Sequence, residues 1–404
     1  MKILVLNAGS SSQKSCLYEL AEKTLPEQPP EPLWEANIDW IVGMDAGVLK
    51  VKAQGNSLEI KLTSDDRRLG VARMLDTLVQ GETQVLEQLC EIDIVGHRVV
   101  HGGTDYSQAT LVTSDVKSAI ARLVTLAPAH NPANLEGIEA IEQILGDIPQ
   151  VAIFDTAFHS QIPLETAVYP IPYEWFEKGI RRYGFHGISH QYCARRAAQL
   201  LGKSLESLKL ITCHLGNGCS LAAIKNGISI NTTMGFTPLE GLMMGSRSGS
   251  IDPAILLYLM REHHFQADEL DKMLNQSSGL KGVSGVSGDM RAIQNAIAQG
   301  NKQAQLAFNI YIQRLRAAIG AMVATLNGLD GLVFTAGVGE NAASVREKAC
   351  AGFEFLGLKL DLEKNAAKPV DRDIAALDST VRILVIHTQE DWAIAQECWQ
   401  ILNT

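Results

Sequence analysis

Arg98 and His101 sit in HRVVHGG, beside a glycine pair at the end of an apolar run. Arg247 stands in FTPLEGLMMGSRSGSIDP (236–253), which is long, glycine-rich and nearly devoid of charge until that arginine. A guanidinium is a planar fork that matches a carboxylate or a phosphoryl group, and two of them could hold one of each. A solvated surface arginine is the plain alternative for either one alone. Four histidines, His130 (LAPAHNP), His159 (FDTAFH), His186 (YGFHGISH) and His214 (CHLGNG), lie next to Gly, Asn or Asp at the ends of elements. None has the spacing of a metal-ligand pair such as HExxH. One such histidine is commonly structural, whereas four together are harder to dismiss. Asp155 follows the strand-like VAIF, where α/β proteins place catalytic carboxylates.

Two glycine-bearing turns add a second kind of chemistry. Ile3 to Leu6 run straight into NAGSSSQKS (7–15), ending near Lys14. Small hydroxyl residues, a glycine and a lysine suit either a tight turn or a phosphate cradle, although the spacing is not the Walker pattern. GLVFTAGVGEN ends a strand with Gly337 to Asn341 and is expected to open a helix at Ala342. There the backbone could meet a nucleotide, or simply make a βα turn.

These groups need a scaffold, and an internal repeat suggests it. Lys2-Ile-Leu-Val-Leu-Asn-Ala-Gly-Ser-Ser-Ser is echoed by Lys209-Leu-Ile-Thr-Cys-His-Leu-Gly-Asn-Gly-Cys-Ser, with Gly9 matching Gly216. Each copy is followed by a second strand, Ser15 to Leu20 and Ser220 to Ile224. The later copy adds a third, Ile228 to Thr232, after the turn Asn226-Gly227. Further strands are expected at Ile92 to Val100, Val151 to Phe154 and Gly331 to Phe334. Helices are expected at Asp115 to Leu126, Leu135 to Leu145 capped by Asn134, Pro253 to Glu262, and Lys302 to Leu326. SSGLKGVSGVSG (277–288) reads as a flexible connection, and Thr24 to Pro32 as a surface loop.

Composition excludes several classes. A chain of 404 residues with 46% apolar and 20% charged residues suits two globular domains, not disorder. A net charge of −10 argues against general nucleic-acid binding. Seven scattered cysteines without a CxxC pair read as buried thiols of a reducing compartment. No apolar run approaches a membrane span, and no basic leader precedes the first strand, so a cytoplasmic protein is expected.

In this order, NAGSSSQK, GHRVVHGG, LAPAHNP, FDTAFH, YGFHGISH, HLGNGCS, NTTMGFTPLEGLMMGSRSG, GVGEN and the C-terminal HTQEDWAIAQE resemble the acetate kinase family. The resemblance implies an α/β fold of two duplicated ribonuclease-H-like βββαβαβα domains, in the superfamily of actin, sugar kinases and heat-shock chaperone ATPases, with the active site in the cleft between them. Residues 1–156 plus the C-terminal helix 391–404 would form one domain and 157–390 the other. It implies reversible phosphoryl transfer between ATP and acetate, with Mg²⁺ (Mn²⁺ as a substitute) and a homodimer. Carried onto this sequence, Asn7 and Glu390 would place the metal. Lys14, Ser10, Ser12, His214, Leu215, Gly216, Asn217 and Gly218 would meet the ATP phosphates. Asp289, Met290, Arg291, Gly337, Val338, Gly339, Glu340 and Asn341 would line the nucleoside. Arg98 would hold acetate, with Val100, Ala129, Phe185 and Pro238 around its methyl. Arg247, His186 and His130 would contact the phosphoryl group, and Asp155 would orient Arg98 and the substrate or act in proton transfer. The fold alone would also permit a non-catalytic actin-like ATP-binding protein, but both substrate arginines are retained. Ala129 stands where the family usually has leucine, which opens the reading of a kinase for a longer carboxylate such as propionate.

Overall fold

The computed structural model describes residues 1–9, 12–21, 23–40, 46–64 and 66–403. They form two compact units, Met1–Ala157 with Gln389–Thr404, and Phe158–Thr388. Among the described residues no helix is long and apolar enough to cross a membrane. All seven cysteines are free, and Cys90 alone is exposed, against the expectation that all are buried.

In the first unit, β1 (Lys2–Ala8), β2 (Ser12–Glu19), β3 (Trp34–Trp40), β4 (Gly47–Ala53) and β5 (Asn56–Leu62) form an antiparallel meander. β6 (Ile94–Val99) and β8 (Gln150–Phe154) extend it in parallel from β1, and the short β7 (Thr110–Leu111) closes the edge. The order is β5-β4-β3-β2-β1-β6-β8-β7. The sequence reading holds no counterpart of β3 to β5, although β4 buries Leu49, Val51 and Ala53 and exposes Lys50 and Lys52 in strict alternation. Helix Arg67–Val79 packs Val71, Met74, Leu75 and Leu78 into a core with Leu4, Leu6, Leu17 and Trp34. Helix Glu390–Asn403 packs on β1 and β6. Its Trp392 lies edge-on to Tyr18 at 5.6 Å, and any side chain at Gly96 would come within 2.6 Å of Cys398 and Ile394.

Helix Asn131–Leu145 starts four residues earlier than expected, with Pro132 in its first turn. Asn134 is therefore not its cap. The buried Asn134 amide instead accepts from Val100 N (3.1 Å) and donates to the Ala8 carbonyl (3.1 Å), pinning the ends of β6 and β1.

The second unit repeats the plan. β9 (Lys209–Leu215), β10 (Cys219–Lys225) and β11 (Ile228–Thr232) form an antiparallel meander. β12 (Gly331–Thr335) and β14 (Arg382–Val385) run parallel from β9, and β13 (Arg372–Asp373) pairs with β14 at the edge. The order is β11-β10-β9-β12-β14-β13. Asn226 and Gly227 both take positive φ, as a two-residue hairpin turn requires. Alternation along β9 turns Thr212 and His214 toward helix Gly187–Leu201, while helix Lys302–Leu326 brings Tyr311 to Cys219. The duplicated α/β fold expected from the sequence is thus present.

Two local expectations are overturned. A helix begins at Ala336, directly at the end of β12, and a second one follows at Ala343. The 277–288 run is not a plain flexible connection, because Gly279–Ser284 is helical and the amides of Ser278, Leu280 and Lys281 donate to the carbonyls of Ser246, Met244 and Gly245. Gly279 allows this approach. Its φ is +61°, and a side chain there would collide with the Met244 carbonyl.

Candidate active site

In the first unit, charged groups gather at the ends of parallel strands. Arg98, near the end of β6, donates from Nε to both oxygens of Asp155 (3.2 Å each), from Nη2 to Oδ2 (2.6 Å), and from Nη1 to Asn7 Oδ1 (3.2 Å). Asp155 directly follows β8 and is buried. Asn7 donates in turn to Asp391 Oδ1 (2.9 Å) and Glu390 Oε2 (3.4 Å). Burial works against the Arg98 charge, but Asp155, Glu390 and Asp391 outweigh it and raise the pKa. Burial also raises the Asp391 pKa, with the Asn7 hydrogen bond opposing and Glu390 adding to the rise. Guanidinium carries five N–H donors, and three of them are engaged by described residues, so two are left among those residues for a bound carboxylate.

The remaining expected residues of this unit are less concentrated. Lys14 is exposed on β2, opposite Asn7 in the ladder. Ser12 opens β2 and its carbonyl accepts from Gly9 N (2.7 Å). Ser10 lies outside the described residues. Val100 is buried beyond β6, Ala129 is exposed in a turn, and His130 is the half-buried residue before helix Asn131–Leu145.

In the second unit the corresponding strand ends carry imidazole rings and hydroxyls. His186 caps helix Gly187–Leu201 in a left-handed conformation (φ 58°), an uncommon backbone state for a non-glycine residue. Its ring stacks on His214 with centroids 4.1 Å apart. Its Nδ1 is hydrogen-bonded to Ser220 Oγ (2.8 Å), and Ser220 Oγ is also 2.8 Å from His190 Nε2. His214 Nδ1 bonds Ser189 Oγ (2.8 Å). Arg247 and His186 converge on Gly218, where a Cβ would lie 3.5 Å from Arg247 Nη1 and 3.5 Å from His186 Nε2. Arg247 donates to the Pro238 carbonyl (3.4 Å) and has no carboxylate partner among the described residues. Burial lowers its pKa, so a nearby anion would stabilise its charged form.

A pocket of about 870 Å³ opens in this unit, lined among others by Gly216, Asn217, Asp289, Met290, Arg291, Gly337, Val338 and Asn341. Asp289 caps helix Met290–Ala298 and pairs with Arg291 (2.6 Å). Other expected residues do not line it. Leu215 is core. Gly339 is buried in the short helix Ala336–Asn341. Glu340 is turned away, its carboxylate accepting from Thr388 N (3.1 Å) and paired with His387 (2.6 Å). Phe185 is buried, and its carbonyl accepts from His159 Nε2 (3.1 Å). His159 is thus tied to Phe185 and Ser229 as a structural residue.

Several participants escaped sequence reasoning. Asp391 was legible as the carboxylate beside Glu390. His190 lies in the quoted YGFHGISH but received no role, and Ser220 is one small residue in a strand with no local signal. Ser246, Lys281 and Gln294 join the pocket only through the fold.

The model of the acetokinase family matches residues 2–396. The chain is 71% identical over 403 residues to an acetate kinase of Rippkaea orientalis and 64% identical over 404 residues to one of Nostoc punctiforme, with full coverage of both chains in each case. Among solved structures it resembles Porphyromonas gingivalis acetate kinase, with a TM-score of 0.91, 40% identity and 99% of each chain covered. A propionate kinase of Francisella tularensis gives 0.89 at 38% identity over 98% of each chain.

Proposed function

The chain belongs to the acetokinase family of kinases, and from that premise we propose that it moves a phosphoryl group reversibly between ATP and acetate, giving acetyl phosphate and ADP. The observation that carries this reading is Arg247, a largely buried guanidinium without a carboxylate partner among the described residues, set with His186 over Gly218 of the HLGNG turn.

Acetate is already an anion and needs no strong base. The obstacle is repulsion between its carboxylate and the γ-phosphoryl group. In this reading the two remaining N–H donors of Arg98 hold the acetate carboxylate, and Asp155 fixes the guanidinium by its fork. A carboxylate oxygen attacks the γ-phosphorus in line, the bond to the β-phosphate oxygen breaks, and ADP departs with that electron pair. Arg247, His186 and His130 face the three equatorial oxygens as charge spreads over them. Asp155 is then an orienting group and no proton has to move through it. Because the acyl phosphate has the higher transfer potential, equilibrium favours ATP.

The donor set suits Mg²⁺, which takes one or two carboxylates and keeps waters and phosphate oxygens as its other ligands. Glu390 would hold it, with Asp391 behind. Asn7 serves as a bracket, since its amide oxygen accepts from Arg98 and its nitrogen donates to both carboxylates. When bound, the ion supplies compensating charge at the phosphates. The pocket beside Asp289 to Arg291 and Gly337 to Asn341 would take the nucleoside, with Lys14 and Ser12 on the phosphates.

A second reading, propionate as an additional substrate, is favoured by the small side chain of Ala129. The homodimer is proposed as well: helix Ala254–His263 buries none of its residues in this chain and exposes Ile255, Leu257, Tyr258 and Met260. A hydroxamate assay with ATP, Mg²⁺ and a panel of short carboxylates tests the activity. Acyl phosphate from acetate is expected, and none from any carboxylate would overturn it.

A further inference from the structure

We propose that Ser220, backed by His190 and Thr212, sets which ring nitrogen of His186 carries the proton and holds the ring so that an Nε2–H faces the transferring phosphoryl group. The inference rests on the reading of His186 as a phosphoryl contact.

The hydrogen bonds form a chain. Thr212 Oγ1 lies 2.7 Å from His190 Nδ1, His190 Nε2 lies 2.8 Å from Ser220 Oγ, and Ser220 Oγ lies 2.8 Å from His186 Nδ1. Ser220, His190 and Thr212 are completely buried. Burial holds His190 well below the ordinary histidine range, with His159 and His214 adding to the effect, so its ring is neutral. A neutral imidazole has one N–H and one acceptor nitrogen, and a hydroxyl has one hydrogen. If Thr212 donates to His190 Nδ1, then His190 Nε2–H donates to Ser220 and the Ser220 hydroxyl donates to His186 Nδ1. That nitrogen must then be bare, which leaves the proton of neutral His186 on Nε2. Nε2 and the adjacent Cε1 are the ring atoms near Gly218, on the side that Arg247 also approaches. Run the other way, the chain would turn a lone pair toward phosphate oxygens, which repels them.

Three groups face His186 from the elements around it. His214 stacks on it from β9, His190 lies 6.5 Å away on the same helix, and Arg247 approaches from its loop across Gly218. In a doubly protonated ring Nε2–H is present whatever Ser220 does, so the serine matters only where His186 is neutral.

The test is the pH profile of kcat in wild type, Ser220→Ala, Ser220→Thr and His186→Ala. Wild type should be nearly level from about pH 6 to pH 8.5, around the unperturbed histidine value. Ser220→Ala should lose about tenfold at pH 8.5 and recover most of it at pH 6, and Ser220→Thr should restore the level profile. Nitrogen-15 NMR of His186 in wild type at pH 8 should show a protonated Nε2 and a bare Nδ1. It needs no variant to fold. The opposite tautomer, or a Ser220→Ala profile parallel to wild type while His186→Ala is impaired, would overturn the inference alone. Full activity in His186→Ala would instead remove the phosphoryl-contact reading, and with it the role given to Ser220.

Discussion

The two units share a sheet plan and differ in what they place at its strand ends. In the first, Asn7 ends β1 among Arg98, Asp155, Glu390 and Asp391, a set of formal charges bracketed by one amide. In the second, His214 occupies the matching place on β9 among His186, His190, Ser189 and Ser220, which are rings and hydroxyls, and the nearby Arg247 has no carboxylate partner among the described residues. Duplication fixed where side chains emerge and left their chemistry free. One arginine is neutralised within its own unit. The other keeps its charge for a ligand.

The most severe way to break this contrast is Arg247→Ala. With its charge uncompensated inside the unit, its removal should lower kcat by about 10³ or more, measured in the direction of ATP synthesis. Arg247→Lys should not restore the rate, because a point charge cannot reproduce the fork. Arg98→Ala should act differently. It takes the guanidinium away from the buried Asp155 carboxylate, so the protein should lose about 3 kcal/mol in denaturant unfolding. The acetate KM should rise steeply while the ATP KM holds. A variant that raised both KM values equally would erase the division of labour between the units.

Acid should weaken both units for the same reason. His97 in the first unit, bonded to Gln150 Oε1 at 2.7 Å, and His159 in the second are each pushed down to about 4 by burial. A histidine with a depressed folded pKa binds its proton more readily when unfolded. Stability is therefore complete above the unfolded value near 6.5 and falls as pH drops from there toward 4. At pH 5 each should cost about 2 kcal/mol. His97→Gln should remove about that much of the loss between pH 7.5 and pH 5 in urea titrations. An unchanged difference would show that His97 is charged in the folded state. The smallest effect concerns Ala129. Ala129→Leu should lower kcat/KM for propionate about tenfold relative to acetate, within the range that one methylene in an apolar slot is worth. Equal ratios would mean that other groups already close the slot.

Much of this was legible in the residues. Apolar runs ending in Asn7, Asp155 and His214 marked strand ends correctly, because buried parallel strands read as continuous hydrophobic stretches. Lys302–Leu326 was readable to the residue, since Asn301 caps it and its period never breaks. Asn134 misled because asparagine in front of an apolar run resembles a cap, whereas its amide bonds residues some 34 and 126 positions away. The glycine run at 277–288 was misread for a similar reason. Its helix is stabilised by carbonyls of the Arg247 loop, and no local propensity reveals them. The links from His190 through Ser220 to His186 are likewise tertiary.

Helix Glu390–Asn403 has a consequence for biosynthesis. The second unit is complete once Thr388 has been translated, but the first still lacks Trp392, Ile394 and Cys398, which cover β1, β2 and β6. On a ribosome, residues 1–157 therefore wait with an apolar sheet face uncovered while more than two hundred further residues are made. Domains generally form in the order of synthesis, and here that order is inverted for the final step: the part translated first is the last to close.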